Sequence, residues 1–211
     1  MKRTGRFVLY PSTPMSGSRL RIVLFAAAAA IAMVGCGFSE GDGEGAAPPD
    51  YERALAGAPA PLARLHAQEN ELLGGGVEAY EQRIASLRGY PIVVNVWASW
   101  CGPCRIEFPA FQQLSARYGT RVAFLGIDSE DSDTAAQTFL ASAPVPYPSY
   151  RDPDKEITQS IGARLGLPNT AFYDRRGELV FLKQGPYDDH AELRSDIERC
   201  ALGRPPGCES G

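Results

Sequence analysis

Histidine is scarce in this 211-residue chain, with only His66 and His190 present. A zinc site built on the closely spaced pair Cys101 and Cys104 needs a second cysteine pair or suitably spaced histidines, and neither is available. Both histidines are read as surface residues, and no metal and no cofactor is expected. Long apolar runs are lacking too. The run Ile22–Val34 has thirteen residues, fewer than the roughly 20 a membrane-spanning helix requires, which argues against a polytopic membrane protein. Bases are thin beyond the first 36 positions, where 16 Lys and Arg face 25 Asp and Glu, a formal charge of −9. Such a surface repels nucleic acid. Apolar residues at 44% and charged residues at 22% otherwise match an ordinary globular domain.

The first 36 residues carry five bases and no acid. Arg19 and Arg21 precede the apolar run, and the small residues Gly35 and Cys36 follow it, which is the pattern of an export signal. Met15 would give a more ordinary signal length than Met1. Met33-Val34-Gly35-Cys36 resembles a bacterial lipobox, in which the cysteine becomes the lipid-bearing first residue; the alternative is an ordinary cleaved signal. Residues 37–50 are rich in Gly, Pro and acids, and a flexible chain of that length reaches about 20 Å. Together these features predict an extracytoplasmic protein, tethered to the membrane through a lipid on Cys36, or secreted or periplasmic without it.

Five cysteines leave one unpaired. With Cys36 lipidated and Cys101 and Cys104 forming one pair, Cys200 and Cys208 remain for a structural disulfide near the C-terminus, in a compartment that permits one.

Along the chain, Tyr51–Leu73 and Val77–Leu87 read as helices broken by Gly74-Gly75-Gly76. Pro91–Trp97 is a β-branched run suited to a strand buried on both faces. A helix from Pro103 to Tyr118, a strand over Val122–Ile127 and a helix over Asp133–Ser142 continue a βαβα alternation, so an α/β sheet is expected. An extended stretch near Tyr147–Tyr150, a helix over Lys155–Leu165 and an antiparallel pair Thr170–Tyr173 and Leu179–Lys183 follow. A closing helix covers Asp188–Leu202, with Asp188 or Asp189 as its cap. The expected division is residues 1–36 signal, 37–50 tether, 51–88 helical lead-in, 89–203 main domain and 204–211 tail.

Trp100-Cys101-Gly102-Pro103-Cys104 falls where a buried strand gives way to a helix. Unpaired amides at a helix start favour an anion, so the Cys101 thiolate is stabilised there. Cys104, one turn on, is placed to resolve a mixed disulfide formed by Cys101. Pro103 suits the first turn, where its missing N–H is no loss.

The segment Val93–Pro109, with this motif at its centre, resembles the active-site segment of the TlpA/ResA-like thioredoxin family, in the redoxin group. Gly166-Leu167-Pro168-Asn169-Thr170 resembles that family's second landmark. The resemblance covers residue 89 to the closing helix and is weaker over residues 51–88, where the family opens with a β-hairpin. It implies a thioredoxin-like central sheet, mixed parallel and antiparallel, flanked by helices. It also implies a cis Pro168 opposite Cys101, a substrate surface at Trp100, Leu167 and Pro168, and an acid, Glu107, that exchanges protons with Cys104. Asn95 stands where cytoplasmic thioredoxins carry a buried aspartate. The implied activity is thiol-disulfide exchange on exported proteins bearing cysteines or disulfides, as a reductant serving proteins such as apocytochrome c, with a membrane thiol partner supplying or accepting electrons. An oxidase or isomerase role stays open, and a thiol peroxidase or a non-catalytic binding module ranks lower, because an intact CxxC replaces a lone peroxidatic cysteine.

Overall fold

The computed structural model describes residues 47–203 and residue 208. The export signal, Cys36 and most of the tether lie outside the described residues, as do 204–207 and 209–211. The described residues form a six-stranded sheet in the order β1-β4-β3-β2-β5-β6. Its strands are β1 (Leu72–Leu73), β2 (Ile92–Trp97), β3 (Ala123–Ser129), β4 (Ser149–Asp152), β5 (Asn169–Tyr173) and β6 (Leu179–Gln184). The pairs β1·β4, β4·β3 and β3·β2 are parallel. The pairs β2·β5 and β5·β6 are antiparallel.

The helices are α1 (Tyr51–Ala54), α2 (Ala60–His66), α3 (Gly76–Ser86), α4 (Gly102–Tyr118), α5 (Asp133–Ser142), α6 (Glu156–Ser160) and α7 (His190–Asp196), the last continued by a π-helical turn, Ile197–Ala201. They cover both faces of the sheet because β2 is apolar on both. Val93 and Trp97 face one core with Cys104, Phe108 and Phe111 of α4, Phe139 of α5 and Leu193 of α7. Ile92, Val94 and Val96 face the other, with Leu62 and Leu65 of α2, Tyr80 and Ile84 of α3 and Ile157 of α6. Trp97 sits edge-to-face with Phe108, ring centroids 5.3 Å apart, and 5.4 Å from Phe139. Such aromatic pairs add about 0.5–1.5 kcal/mol each beyond their buried area. The site-bearing strand is thereby clamped from two sides.

Several elements depart from the sequence reading for identifiable reasons. Tyr51–Leu73 is not one helix. Gly57 takes a left-handed φ of 77°, and Pro59 and Pro61 start α2 anew where missing amides are tolerated. Asn70, at φ 58°, then turns the chain so that Leu72 and Leu73 form a parallel edge strand against Ser149 and Tyr150. The helix read over Lys155–Leu165 stops at Ser160, just before Gly162 at φ 85°. The closing helix begins at His190 with Asp189 as its cap, Oδ1 accepting the Glu192 N–H at 2.7 Å. His66 is half-buried and not a surface residue: its two ring nitrogens lie 3.0 Å from the Pro146 and Gly119 carbonyls. That places α2 against the loop before β4 and the end of α4.

Candidate active site

β2 ends at Trp97, and Ala98–Trp100 turn the chain into α4, whose N-cap is Cys101 itself. The Cys104 N–H donates to Cys101 Sγ at 3.2 Å, so the sulfur takes the place of the usual Ser or Asp oxygen at a helix start. Gly102 and Pro103 fill the first helical positions. Cys101 and Cys104 form a disulfide with Cα atoms 5.3 Å apart. Cys101 keeps 4% of its surface and Cys104 none, whereas Trp100, Gly102 and Pro103 around Cys101 are exposed. The outer cysteine is therefore the one an incoming sulfur can reach from the surface, and the inner one is shielded behind it.

Trp100 is 60% exposed, its indole N–H donating to the Glu130 carbonyl at 2.9 Å. Ser99 N–H donates to Asp131 Oδ2 at 2.5 Å, and Arg105 Nη1 donates to the Ser99 carbonyl at 3.3 Å. Two residues before the nucleophile, the turn is thus held through both its amide and its carbonyl.

Glu107 lies three residues past Cys104 on the same face of α4 and is only 5% exposed. Burial pushes its carboxyl up from 4.5 to about 7, opposed by the Tyr187 amide and by the charge of Lys183. Tyr187 N–H donates to Oε2 at 3.2 Å, while Oε1 is buried without a hydrogen-bond partner among the described residues. A carboxyl poised near neutrality is suited to passing a proton to or from a neighbouring thiol.

The Leu167–Pro168 peptide bond is cis. Val96 pairs with Asn169, so Pro168 sits at the end of the sheet from which the Cys101 turn emerges. The loop before it is fixed by side chains of the adjoining strands: Asn169 Nδ2 of β5 donates to the Gly166 carbonyl at 2.5 Å, and Gln184 Oε1 of β6 accepts the Arg164 and Leu165 amides at 2.9 and 3.2 Å. Leu165 and Ile106 are large apolar residues left exposed, and Leu167 is half-buried between the two cores. Cys200, in the π-helical turn, is disulfide-bonded to Cys208 at a Cα separation of 4.6 Å, and Cys208 packs against the core that holds the active-site pair. Asp131, Asp128, Lys183 and the Tyr187 amide were not singled out by sequence. The acidic run after the buried strand, Asp128-Ser129-Glu130-Asp131, was the visible signal for the first two.

A thioredoxin-like sheet carrying a helix-capping CxxC disulfide defines a thiol-disulfide oxidoreductase. Residues 56–198 match the family described as Redoxin, and the chain belongs to that family. Among its relatives, the thiol:disulfide interchange protein DsbE of Escherichia coli K12 is 33% identical over 143 residues, 67% of this chain and 72% of its own. The DsbE of Pseudomonas fluorescens biotype C is 39% identical over 94 residues, 44% of this chain, which spans about half the length of that relative, 51%. A Chlorobium tepidum crystal structure carrying the name thiol:disulfide interchange protein DsbE superposes with a TM-score of 0.50 at 28% identity, over 54% of this chain and 82% of its own. The family and fold expected from Val93–Pro109 and Gly166–Thr170 are those observed.

Proposed function

We propose that this oxidoreductase works outside the cytoplasm as a reductant of disulfides in exported proteins. In the reduced enzyme the Cys101 thiolate attacks one sulfur of a substrate disulfide; a mixed disulfide forms and the first substrate sulfur leaves as a thiolate that takes up a proton. Cys104 then gives its proton to the Glu107 carboxylate and attacks Cys101 Sγ. The second substrate thiolate leaves, the proton is returned to it by way of Glu107, and the enzyme is left as the Cys101–Cys104 disulfide. Two electrons have passed to the substrate, and a membrane thiol partner resupplies them. Trp100, Leu167 and Pro168 form the surface on which the substrate strand lies, Cys200–Cys208 is structural, and a lipid on Cys36 holds the domain at the membrane.

The observation that carries the direction is Glu107, buried one turn past Cys104 with a carboxyl raised to about 7. Its negative form disfavours thiolates beside it, and a less stabilised thiolate makes a more reducing pair. Among the described residues, the hydrogen bond received by Cys101 Sγ comes from Cys104 N–H. The names of the relatives support exchange between thiols and disulfides, and apocytochrome c is one substrate of the expected class.

The decisive experiment is Cys104→Ser in the intact cell. This variant should accumulate mixed disulfides between Cys101 and exported proteins, identifiable by mass spectrometry, and Cys101→Ser should accumulate none. A Cys104→Ser protein that traps no partner in a wild-type redox background argues against the proposal. In the wild type, oxidation of partner thiols by the Cys101–Cys104 disulfide, in place of reduction of partner disulfides by the dithiol, would reverse the direction.

A further inference from the structure

The turn that delivers Cys101 to the start of α4 is gripped by the loop after β3. Ser99 N–H reaches Asp131 Oδ2 at 2.5 Å and the Trp100 indole reaches the Glu130 carbonyl at 2.9 Å. Asp131 Oδ1 in turn accepts the Ser132 N–H at 2.8 Å, which orients the carboxylate toward Ser99. Behind Asp131 lies Asp128, 2% exposed, on β3 in register with Trp97 of β2 and Arg151 of β4. Burial and the neighbouring Asp131 carboxyl favour a proton on Asp128, and among the described residues its buried Oδ1 has no hydrogen-bond partner. Two carboxyl groups can join in a hydrogen bond only if one of them carries a proton.

We propose that Asp131 and Asp128 together are the positioning device of the active-site turn: Asp131 holds the Ser99 amide, and a proton shared with Asp128 keeps Asp131 in place. Neither group touches the substrate. The inference rests on the exchange chemistry of Cys101 and Cys104, and it adds a second proton to that chemistry, distinct from the one on Glu107.

The surroundings say when the device releases. The charges that act on Asp128 from neighbouring elements are those of Asp152 of β4 and Asp133 of α5. Arg151 is committed to Asp133 at 2.7 Å, and Arg105 bonds the carbonyl side of Ser99. Burial first, then the charges of Asp131, Asp133 and Asp152, raise Asp128 from 3.8 to about 8. At neutral pH the shared proton is present. Above pH 8 it is lost, two carboxylates stand side by side, and repulsion draws Asp131 from Ser99. The turn that aims Cys101 then loses its anchor while the disulfide chemistry itself is unchanged.

The test follows the ¹⁵N–¹H signal of Ser99 in the oxidised protein, where neither active-site cysteine titrates. In the wild type this signal should move with a midpoint near pH 8, and in Asp128→Asn it should stay still. Asp131→Ala should slow reduction of a small-molecule disulfide about tenfold, the scale of a modest misplacement of the nucleophile. A Ser99 signal stationary between roughly pH 6 and 10, or one that moves alike in Asp128→Asn, overturns the proposal. So does wild-type exchange by Asp131→Ala. If Asp128→Asn does not fold, the wild-type titration and Asp131→Ala still decide. A protein that shows the Ser99 titration yet exchanges no disulfide supports the positioning device and removes the catalytic reading, because the signal is read without turnover.

Discussion

Replacing Glu107 with glutamine removes one titration from the core and should change how stability depends on pH. In the fold the carboxyl is raised from 4.5 to about 7, so the folded state holds a proton that the unfolded chain has already released. The folded form binds more protons between these two values, and stability therefore falls as pH rises through that window. Below 4.5 both states are protonated and the penalty vanishes. Above 7 it is complete, about 3 kcal/mol at 1.36 kcal/mol per pKa unit. Between pH 5 and pH 8 the wild type should lose about 2.5 kcal/mol through this group alone.

Glutamine keeps an acceptor for the Tyr187 N–H but buries amide donors, a cost of about 1–3 kcal/mol if they are unpaired. That cost is the same at every pH, so the diagnostic is the difference between the two proteins at two pH values, not either stability alone. Thermal unfolding of the oxidised forms should show Glu107→Gln gaining on the wild type by about 5–10 °C between pH 5 and pH 8. Parallel pH profiles for the two proteins would show that Glu107 ionises at its ordinary value in the fold, and the proton-transfer role would go with it. The rate of Cys104 attack, followed by quenched flow, should fall in the same variant.

Two further substitutions test the frame around the site. Gly126 of β3 lies so close to Ser149 Oγ and the Trp97 indole that a Cβ there would strike both, displacing the Trp97 bond to Ser149; Gly126→Ala should destabilise by about 1–3 kcal/mol in denaturant unfolding, and a neutral effect would show that the strands spread freely. Cys200→Ser with Cys208→Ser opens a loop of sequence separation 8, worth about 2.5 kcal/mol of loop-closure entropy. It should lower the melting temperature with exchange kinetics unchanged, whereas a loss of exchange would make this pair a second redox couple.

Much of the site was readable because its signals are local. A β-branched run ending in Cys-Gly-Pro-Cys places the nucleophile at a helix start, and Glu107 falls on the face of Cys104 by helical spacing alone. The partners of Glu107 were not readable, since Tyr187 offers a backbone amide 80 positions away, and nothing in an amide identifies its use. Nothing local sets Asp128 and Asp131 apart from other acids after a strand; only the register with Trp97 shows that one of them is buried. The strand at Leu72–Leu73 was missed because two adjacent leucines fit a helical stripe equally well, and what decides is the long-range pairing with Ser149 and Tyr150. His66 was misplaced for the same reason: its environment is made by two carbonyls distant in sequence.

Because the reacting sulfur also closes the first turn of α4, folding and chemistry ask for different atoms at one position. Serine is the stronger cap there, so a single-base change that silences the enzyme leaves a helix start as good as before or better. In the reduced enzyme, where no Cys101–Cys104 bridge is lost, helix capping does not oppose that drift. Persistence of the cysteine in a lineage then reports selection for turnover, and an inert, well-folded descendant lies one step away, ready to be kept for whatever its exposed rim of Trp100, Ile106 and Leu165 can hold.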